Sequence, residues 1–108
     1  MKGTSTLLST LLCALSVSTA RAAISDADAA SLMTKYNCQA CHTVDKKLVG
    51  PSFKDVAKKY VGDATASAKL EGKVKNGGTG VWGAIPMPPN NVPSADLSAL
   101  VSWILALK

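Results

Sequence analysis

The segment Cys38-Gln39-Ala40-Cys41-His42 constrains the fold of this chain more than any other feature. It places two thiols three positions apart and an imidazole at the next position. Two thiols at this spacing reach the two vinyl groups on one edge of a porphyrin, and the histidine that follows can turn its imidazole onto the iron. The pattern therefore predicts covalent attachment of one c-type haem.

Three other interpretations of the same segment stay open at this point. A thiol-redox motif also has the form Cys-x-x-Cys, but it is typical of βαβ folds, and this sequence has no strand pattern. A structural zinc ion needs four ligands, whereas the chain has one histidine and three cysteines, of which Cys13 lies in an N-terminal apolar run. The third alternative is a structural disulfide with an incidental histidine.

The first 22 residues have the pattern of a secretory signal peptide. Lys2 gives a positive start, residues 7–17 form an apolar run, and Ala20-Arg21-Ala22 matches a small-x-small cleavage site. The run is too short for a typical membrane-spanning helix, although a retained anchor is the alternative. We expect cleavage after Ala22, a mature domain over 23–108, and a periplasmic location.

Cleavage would also lower the charge of the chain. The full sequence has twelve Lys and Arg against seven acidic residues, a formal charge of +5. Without Lys2 and Arg21, ten lysines and no arginine remain, with a formal charge of +3. Nucleic-acid-binding domains are strongly basic with clustered Lys and Arg. We therefore expect no nucleic-acid partner, no stable membrane insertion after cleavage, and a monomer.

Capping residues and apolar spacing predict four helices and no strand in the mature domain. Each predicted start combines a capping side chain with apolar residues at helical spacing. The predicted starts are Ser25, Ser52, a point near Asp63 or Ser67, and Ser94. The fold class is therefore all-α.

Residues 77–93 are predicted to form a long ordered loop. They contain four of the eight glycines and four of the five prolines, and they show neither a helical nor a strand period. A loop of this length inside a compact domain usually binds a ligand or covers a site.

The single histidine restricts the second axial ligand of the predicted haem. If His42 binds one face of the iron, the other ligand is a methionine, a lysine, the terminal amine, or nothing, which would leave an open site. Met33 lies on an apolar helix face, where methionine usually packs. Met87 lies between Pro86 and Pro88, which stiffen the backbone. We predict His42 and Met87 as iron ligands, a pair that raises the reduction potential.

From residue 23 onward the chain resembles the short bacterial class I cytochromes c, the cytochrome c-551 family. The matching segments are 38–42, 49–57, 74–77, 80–83, 85–90 and the last helix around Trp103. The resemblance implies a small fold of about four helices wrapped around one covalently bound haem. It also implies electron transfer rather than enzymatic activity.

The resemblance further implies roles for residues around the haem. The Pro51 carbonyl would accept the outer N–H of the iron-bound imidazole, and the Trp82 indole would donate to a haem propionate. Asn90 would donate to the ligand sulfur or brace the loop. Lys73 stands where relatives often carry an arginine to the same propionate, although lysine lacks the planar guanidinium fork.

Electrons would cross at the exposed haem edge, through transient docking of redox partners. An apolar patch is expected there, surrounded by lysines. The expected residues are Val81, Ala84, Ile85, Pro86 and Pro88, with Lys46, Lys47, Lys54 and Lys73. Relatives of this type carry electrons from a quinol-oxidising complex to a terminal oxidase or nitrite reductase. The main alternative function is a haem enzyme or gas sensor with an open sixth position.

Overall fold

The computed structural model describes residues 13–15 and 23–108. In this part of the chain there are four α-helices, one short 3-10 helix at Cys38–Ala40, and no strand. The helices are α1 (Asp26–Lys35), α2 (Phe53–Lys59), α3 (Ala66–Asn76) and α4 (Ser94–Leu105). The predicted all-α class is confirmed. The predicted signal peptide lies outside the described residues, apart from 13–15. Among the described helices, none has the length and apolar character needed to cross a membrane.

The helices α1 and α2 begin at the predicted capping residues. The Ser25 hydroxyl accepts from the amide of Asp28, and the Ser52 hydroxyl accepts from the amide of Asp55, both at 3.1 Å. Each bond satisfies an amide that the first helical turn leaves without a backbone partner. The start of α2 is therefore fixed close behind Pro51, which belongs to the candidate site described below.

The start of α4 differs from the prediction by one residue. Ser94 is the first residue of the helix, Pro93 occupies the cap position, and no side chain caps this end. The reason is that the Pro93 carbonyl accepts the first helical hydrogen bond, from the amide of Leu97 at 2.9 Å. The prediction that Ser94 caps α4 is therefore wrong. The start of α3 at Ala66 falls between the two predicted points.

The core forms where the apolar faces of α1, α2 and α4 meet. One buried cluster joins these three helices, and a second extends from the loop before α4 along the same helix. Their buried members are Ala29, Met33, Phe53, Val56, Leu100 and Ile104 in the first cluster, and Val92, Leu97 and Val101 in the second. Since α4 contributes to both clusters, it is the element against which the others are positioned.

Two hydrogen bonds tie the ends of α1 to α4. The Tyr36 hydroxyl donates to Asp96 Oδ2 at 2.5 Å, and the Trp103 indole donates to Asp26 Oδ1 at 2.9 Å. The bond to the Asp96 carboxylate raises the pKa of Tyr36. Both ends of α1 are therefore fixed to α4. This fixes the position of the segment that follows α1, which begins with Cys38.

Candidate cofactor-binding site

A tight turn after α1 presents the Cys38–His42 segment. Asn37 adopts the left-handed conformation, with φ of +58°, which asparagine tolerates better than most residues. The amides of Cys41 and His42 then donate to the Cys38 carbonyl at 3.2 and 3.0 Å. This turn draws the two thiols and the imidazole into one short stretch of surface.

The His42 ring is oriented by a backbone carbonyl and by an aromatic neighbour. Its Nδ1 lies 2.8 Å from the Pro51 carbonyl oxygen. Since a carbonyl can only accept, Nδ1 carries the proton, and in the neutral ring Nε2 keeps a free lone pair. The ring also stacks on Phe53, with centroids 5.0 Å apart and planes inclined by 20°. These two contacts therefore fix the orientation of the ring and leave Nε2 available for binding a metal.

Gly50 makes this orientation of His42 possible. A Cβ at Gly50 would lie 2.6 Å from the Cε1 atom of His42 and 3.0 Å from its Nδ1. The Gly50 amide also donates to the Cys41 carbonyl at 2.7 Å. The loop therefore closes directly against the imidazole, at a distance that only glycine permits.

A cavity of about 490 Å³ lies against His42. This volume is in the range of pockets for cofactors and other small ligands, about 300–1,000 Å³. The wall includes apolar residues from α2, α3, α4 and the 77–93 loop. Those from the helices are Phe53, Val56, Leu70, Val74, Val101 and Ile104, and those from the loop are Val81, Trp82, Ala84, Ile85, Pro86, Met87 and Pro88. The site is thus a largely apolar cleft with a few polar groups at its edge.

The loop that carries Met87 is held by backbone hydrogen bonds. Gly78 and Met87 exchange two bonds of 2.9 Å, and the Asn90 amide donates to the Val74 carbonyl at 2.8 Å. The Asn90 side chain donates from Nδ2 to the Pro88 carbonyl at 2.8 Å. These hydrogen bonds restrain the segment that carries Met87, and donation from Asn90 to the ligand sulfur stays a prediction.

Gly77 allows this loop to fold back over the end of α3. Its φ is +68°, and a Cβ there would lie 2.3 Å from the Met87 carbonyl oxygen and 2.9 Å from the Pro89 nitrogen. Both obstacles are backbone atoms, which cannot move aside as a flexible side chain can. A residue larger than glycine would therefore push Met87 away from its place on the cavity wall.

We expect Gly77→Ala to destabilise the protein by at least about 1–3 kcal/mol, because the conformation of Gly77, with φ of +68° and ψ of −160°, costs about this much for a residue with a Cβ. Denaturant titration of the holoprotein measures the change. Gly72→Ala is the matched control. Gly72 lies inside α3 with open space around its Cβ position, so alanine should stabilise by about 0.5–1 kcal/mol. Equal effects of the two substitutions would contradict this role of Gly77.

The structure brings six of the eight predicted site residues to the cavity wall. These are Cys41, His42, Pro51, Lys73, Trp82 and Met87. Cys38 precedes Cys41 by three residues and packs against the first core cluster. The Asn90 side chain donates to the Pro88 carbonyl, within the loop that carries Met87. Met33 is buried in that core cluster, away from the wall, as expected for a packing residue.

The environment of Cys38 differs from that of a reactive thiol. Burial raises the pKa of the Cys38 thiol, whereas catalytic and redox-active cysteines have lowered pKa values. This property of Cys38 argues against the thiol-redox interpretation of the pair.

The mouth of the cavity combines exposed apolar side chains with lysines. Val81 is 45% exposed and Ile85 is 67% exposed, although both line the cavity. Of the four lysines expected around this patch, Lys47 and Lys73 lie on the wall. Lys54 instead forms an ion pair with Asp45 at 2.5 Å. The exposed part of the wall at Val81 and Ile85 is therefore apolar, and two lysines line the same cavity.

Sequence reasoning did not find several residues that shape the site. Gly50 and Gly77 act through close approach, and Phe53 acts by stacking on His42. The pairs Gly50-Pro51 and Gly77-Gly78 mark turns in the sequence, but a turn signal does not state what the turn packs against. Lys59, which lies over the Trp82 ring, carries no signal in the sequence.

Fold and site together define a small helical protein with one large, mostly apolar cavity, and with paired cysteines and a histidine near its edge. Residues 26–108 match the family model described as cytochrome c. The chain belongs to the cytochrome c family and is a small class I monohaem c-type cytochrome.

Curated relatives agree with this assignment. The chain is 56% identical over 80 residues to cytochrome c-552 of Nitrosomonas europaea, covering 73% of this chain and 78% of the relative. It is 56% identical over 77 residues to cytochrome c-551 of Allochromatium vinosum, covering 70% and 82%. The crystal structure of wild-type Nitrosomonas europaea cytochrome c552 superimposes with a TM-score of 0.70, covering 73% of this chain and 99% of that one. The class I cytochrome c fold predicted from the sequence is confirmed.

The residues of the site fit a haem c, the cofactor that family membership implies. The cavity is large and mostly apolar, as a porphyrin requires, and a histidine and a methionine both line it. The two thiols have the Cys-x-x-Cys-His spacing of thioether attachment. Haem attachment would also give this small domain the internal support that a short chain needs beyond its own core.

Proposed function

We propose that this protein is a periplasmic electron carrier that holds one haem c through Cys38 and Cys41, with His42 and Met87 as the axial iron ligands. The bound haem supplies a single-electron couple between ferric and ferrous iron. The protein is not an enzyme in this proposal, since His42 and Met87 would hold the iron and no substrate would reach it.

The observation that carries the proposal is that His42 and Met87 line the same apolar cavity. The two residues lie far apart in the sequence and belong to different loops. His42 is presented by the turn after α1, and Met87 by the braced 77–93 loop. A nitrogen donor and a thioether facing one cavity suit the Met/His ligation that raises the potential of cytochromes c.

The chain's own contacts suit repeated electron transfer. The Pro51 carbonyl holds the proton on Nδ1 and makes the imidazole a better donor through Nε2. Asn90 and the Gly78–Met87 bonds hold the loop that would supply the sulfur. Because the chain holds both side chains in place, a change of charge at the iron would need little structural rearrangement. Trp82 and Lys73 on the cavity wall would bind the propionates.

The exposed patch around Val81 and Ile85 would be the docking surface for redox partners. Interfaces of electron carriers are small and transient, because fast release matters as much as recognition. An apolar centre flanked by Lys47 and Lys73 suits a partner with acidic groups around its own cofactor. We propose a quinol-oxidising complex as donor and a terminal oxidase or nitrite reductase as acceptor. Export directed by the signal peptide over 1–22 would place the protein in the periplasm. We propose that it is a monomer there.

Extraction of the purified protein with acidified acetone tests the covalent attachment. We expect the haem to stay with the polypeptide, because thioether bonds survive denaturation, and we expect the double variant Cys38→Ala/Cys41→Ala to release or lack it. Gln39→Ala is the matched control, since it changes an exposed residue between the two cysteines and should leave the haem content unchanged. Complete extraction of haem from the wild-type chain would contradict the proposal.

A further inference from the structure

Lys59 makes a contact at the cavity that the function described above does not use. It is the last residue of α2, and its Nζ lies 5.4 Å from the centre of the Trp82 ring. A cation within about 6 Å of an indole face is attracted by the negative face of the ring. Trp82 lines the cavity and is 44% exposed, so the contact covers the outer side of a wall residue.

The position of Lys59 on α2 also directs it toward the cavity. Asp55 lines the cavity, and Lys59 follows it by four residues, so both lie on the same helix face. Lys58 is the adjacent residue and points from another face, and its side chain forms no ion pair, hydrogen bond or ring contact among the described residues. The two lysines thus share the same net charge and the same helix end, but only Lys59 contacts the wall.

We propose that Lys59 is a positioning residue for the cofactor edge: it holds the Trp82 indole in place and adds a positive charge that raises the reduction potential. This inference rests on the proposed function, because it requires a haem in the cavity. A positive charge near the iron disfavours the ferric state, which carries one more positive charge than the ferrous state. It therefore favours reduction and raises the potential.

The test compares Lys59→Gln with Lys58→Gln in the holoprotein. Both substitutions remove one positive charge from the last turn of α2. We expect Lys59→Gln to lower the potential clearly more than Lys58→Gln, and the difference to shrink at high ionic strength because exposed charges are screened by salt. Lys59→Arg should restore the wild-type potential, since arginine also stacks on aromatic rings.

A second readout distinguishes a positioning role from a surface charge alone. In ferrous protein with 15N-labelled tryptophan, Lys59→Gln should shift the indole N–H resonance of Trp82. The resonance of Trp103 serves as the internal reference, since its indole donates to Asp26 between α1 and α4. Lys58→Gln should move neither resonance.

Equal falls in potential for the two glutamine variants, or an unmoved Trp82 resonance in Lys59→Gln, would overturn the inference. The haem content and the ferric spectrum of the wild-type protein, recorded on the same preparation, test the proposed function separately. A normal haem spectrum with equal effects of the two variants therefore rejects the role of Lys59 alone.

Discussion

Replacing His42 with alanine should prevent the accumulation of stable holoprotein. The imidazole is the only one in the chain, and its orientation is fixed by the Pro51 carbonyl and by stacking on Phe53. Loss of even an outer partner of a metal ligand typically costs about 10–100-fold in metal affinity. Loss of the ligand itself should reduce the holoprotein yield by roughly tenfold or more, measured by haem absorbance per unit of polypeptide.

A matched control for this variant is Lys47→Gln. Lys47 lines the same cavity and pairs with His42 through a backbone bridge, but its side chain is not expected to bind the cofactor. This control should give a normal yield. If His42→Ala also gave a normal yield of low-spin haem protein, His42 would not be an iron ligand.

Replacing Met87 with alanine should leave the sixth coordination position open while the haem stays attached. The thioether is the soft donor on the cavity wall, and alanine offers no donor in its place. We expect the variant to bind carbon monoxide, to lose the weak far-red band of sulfur-to-iron charge transfer, and to have a lower reduction potential, because methionine ligation raises it. Visible spectroscopy and redox titration measure these changes.

Met33→Leu is the matched control for Met87→Ala. Met33 is 4% exposed and packs in the core, and a swap of similar volume there should cost less than about 1.5 kcal/mol of stability. The control should keep the far-red band and should not bind carbon monoxide. Survival of the band in Met87→Ala, or its loss in Met33→Leu, would show that the ligand was assigned to the wrong methionine.

Most of the fold follows from patterns within a few residues of one another. Ser25 and Ser52 cap their helices because each hydroxyl needs only an amide three residues ahead. The Cys38–His42 motif and the proline-rich setting of Met87 were likewise visible in the sequence. The cap of α4 was misplaced because Pro93 and Ser94 are adjacent candidates, and the choice depends on which carbonyl accepts the first helical bond.

The parts of the site that the sequence did not predict depend on contacts between distant segments. Gly50 is needed because the His42 ring lies against it, and Gly77 because the Met87 carbonyl crosses it. The ion pair that occupies Lys54 with Asp45 and the contact of Lys59 with Trp82 also require the folded positions of two segments. The sequence alone does not indicate which side chain a given lysine will contact in the folded protein.

The ferric visible spectrum of the purified wild-type protein tests the central claim most directly. Six-coordinate iron bound by His42 and Met87 predicts a low-spin spectrum with the weak far-red band of the iron–sulfur bond. A high-spin ferric spectrum without that band would mean an open sixth position, as in a haem enzyme or gas sensor, and would contradict the assignment of this protein as an electron carrier.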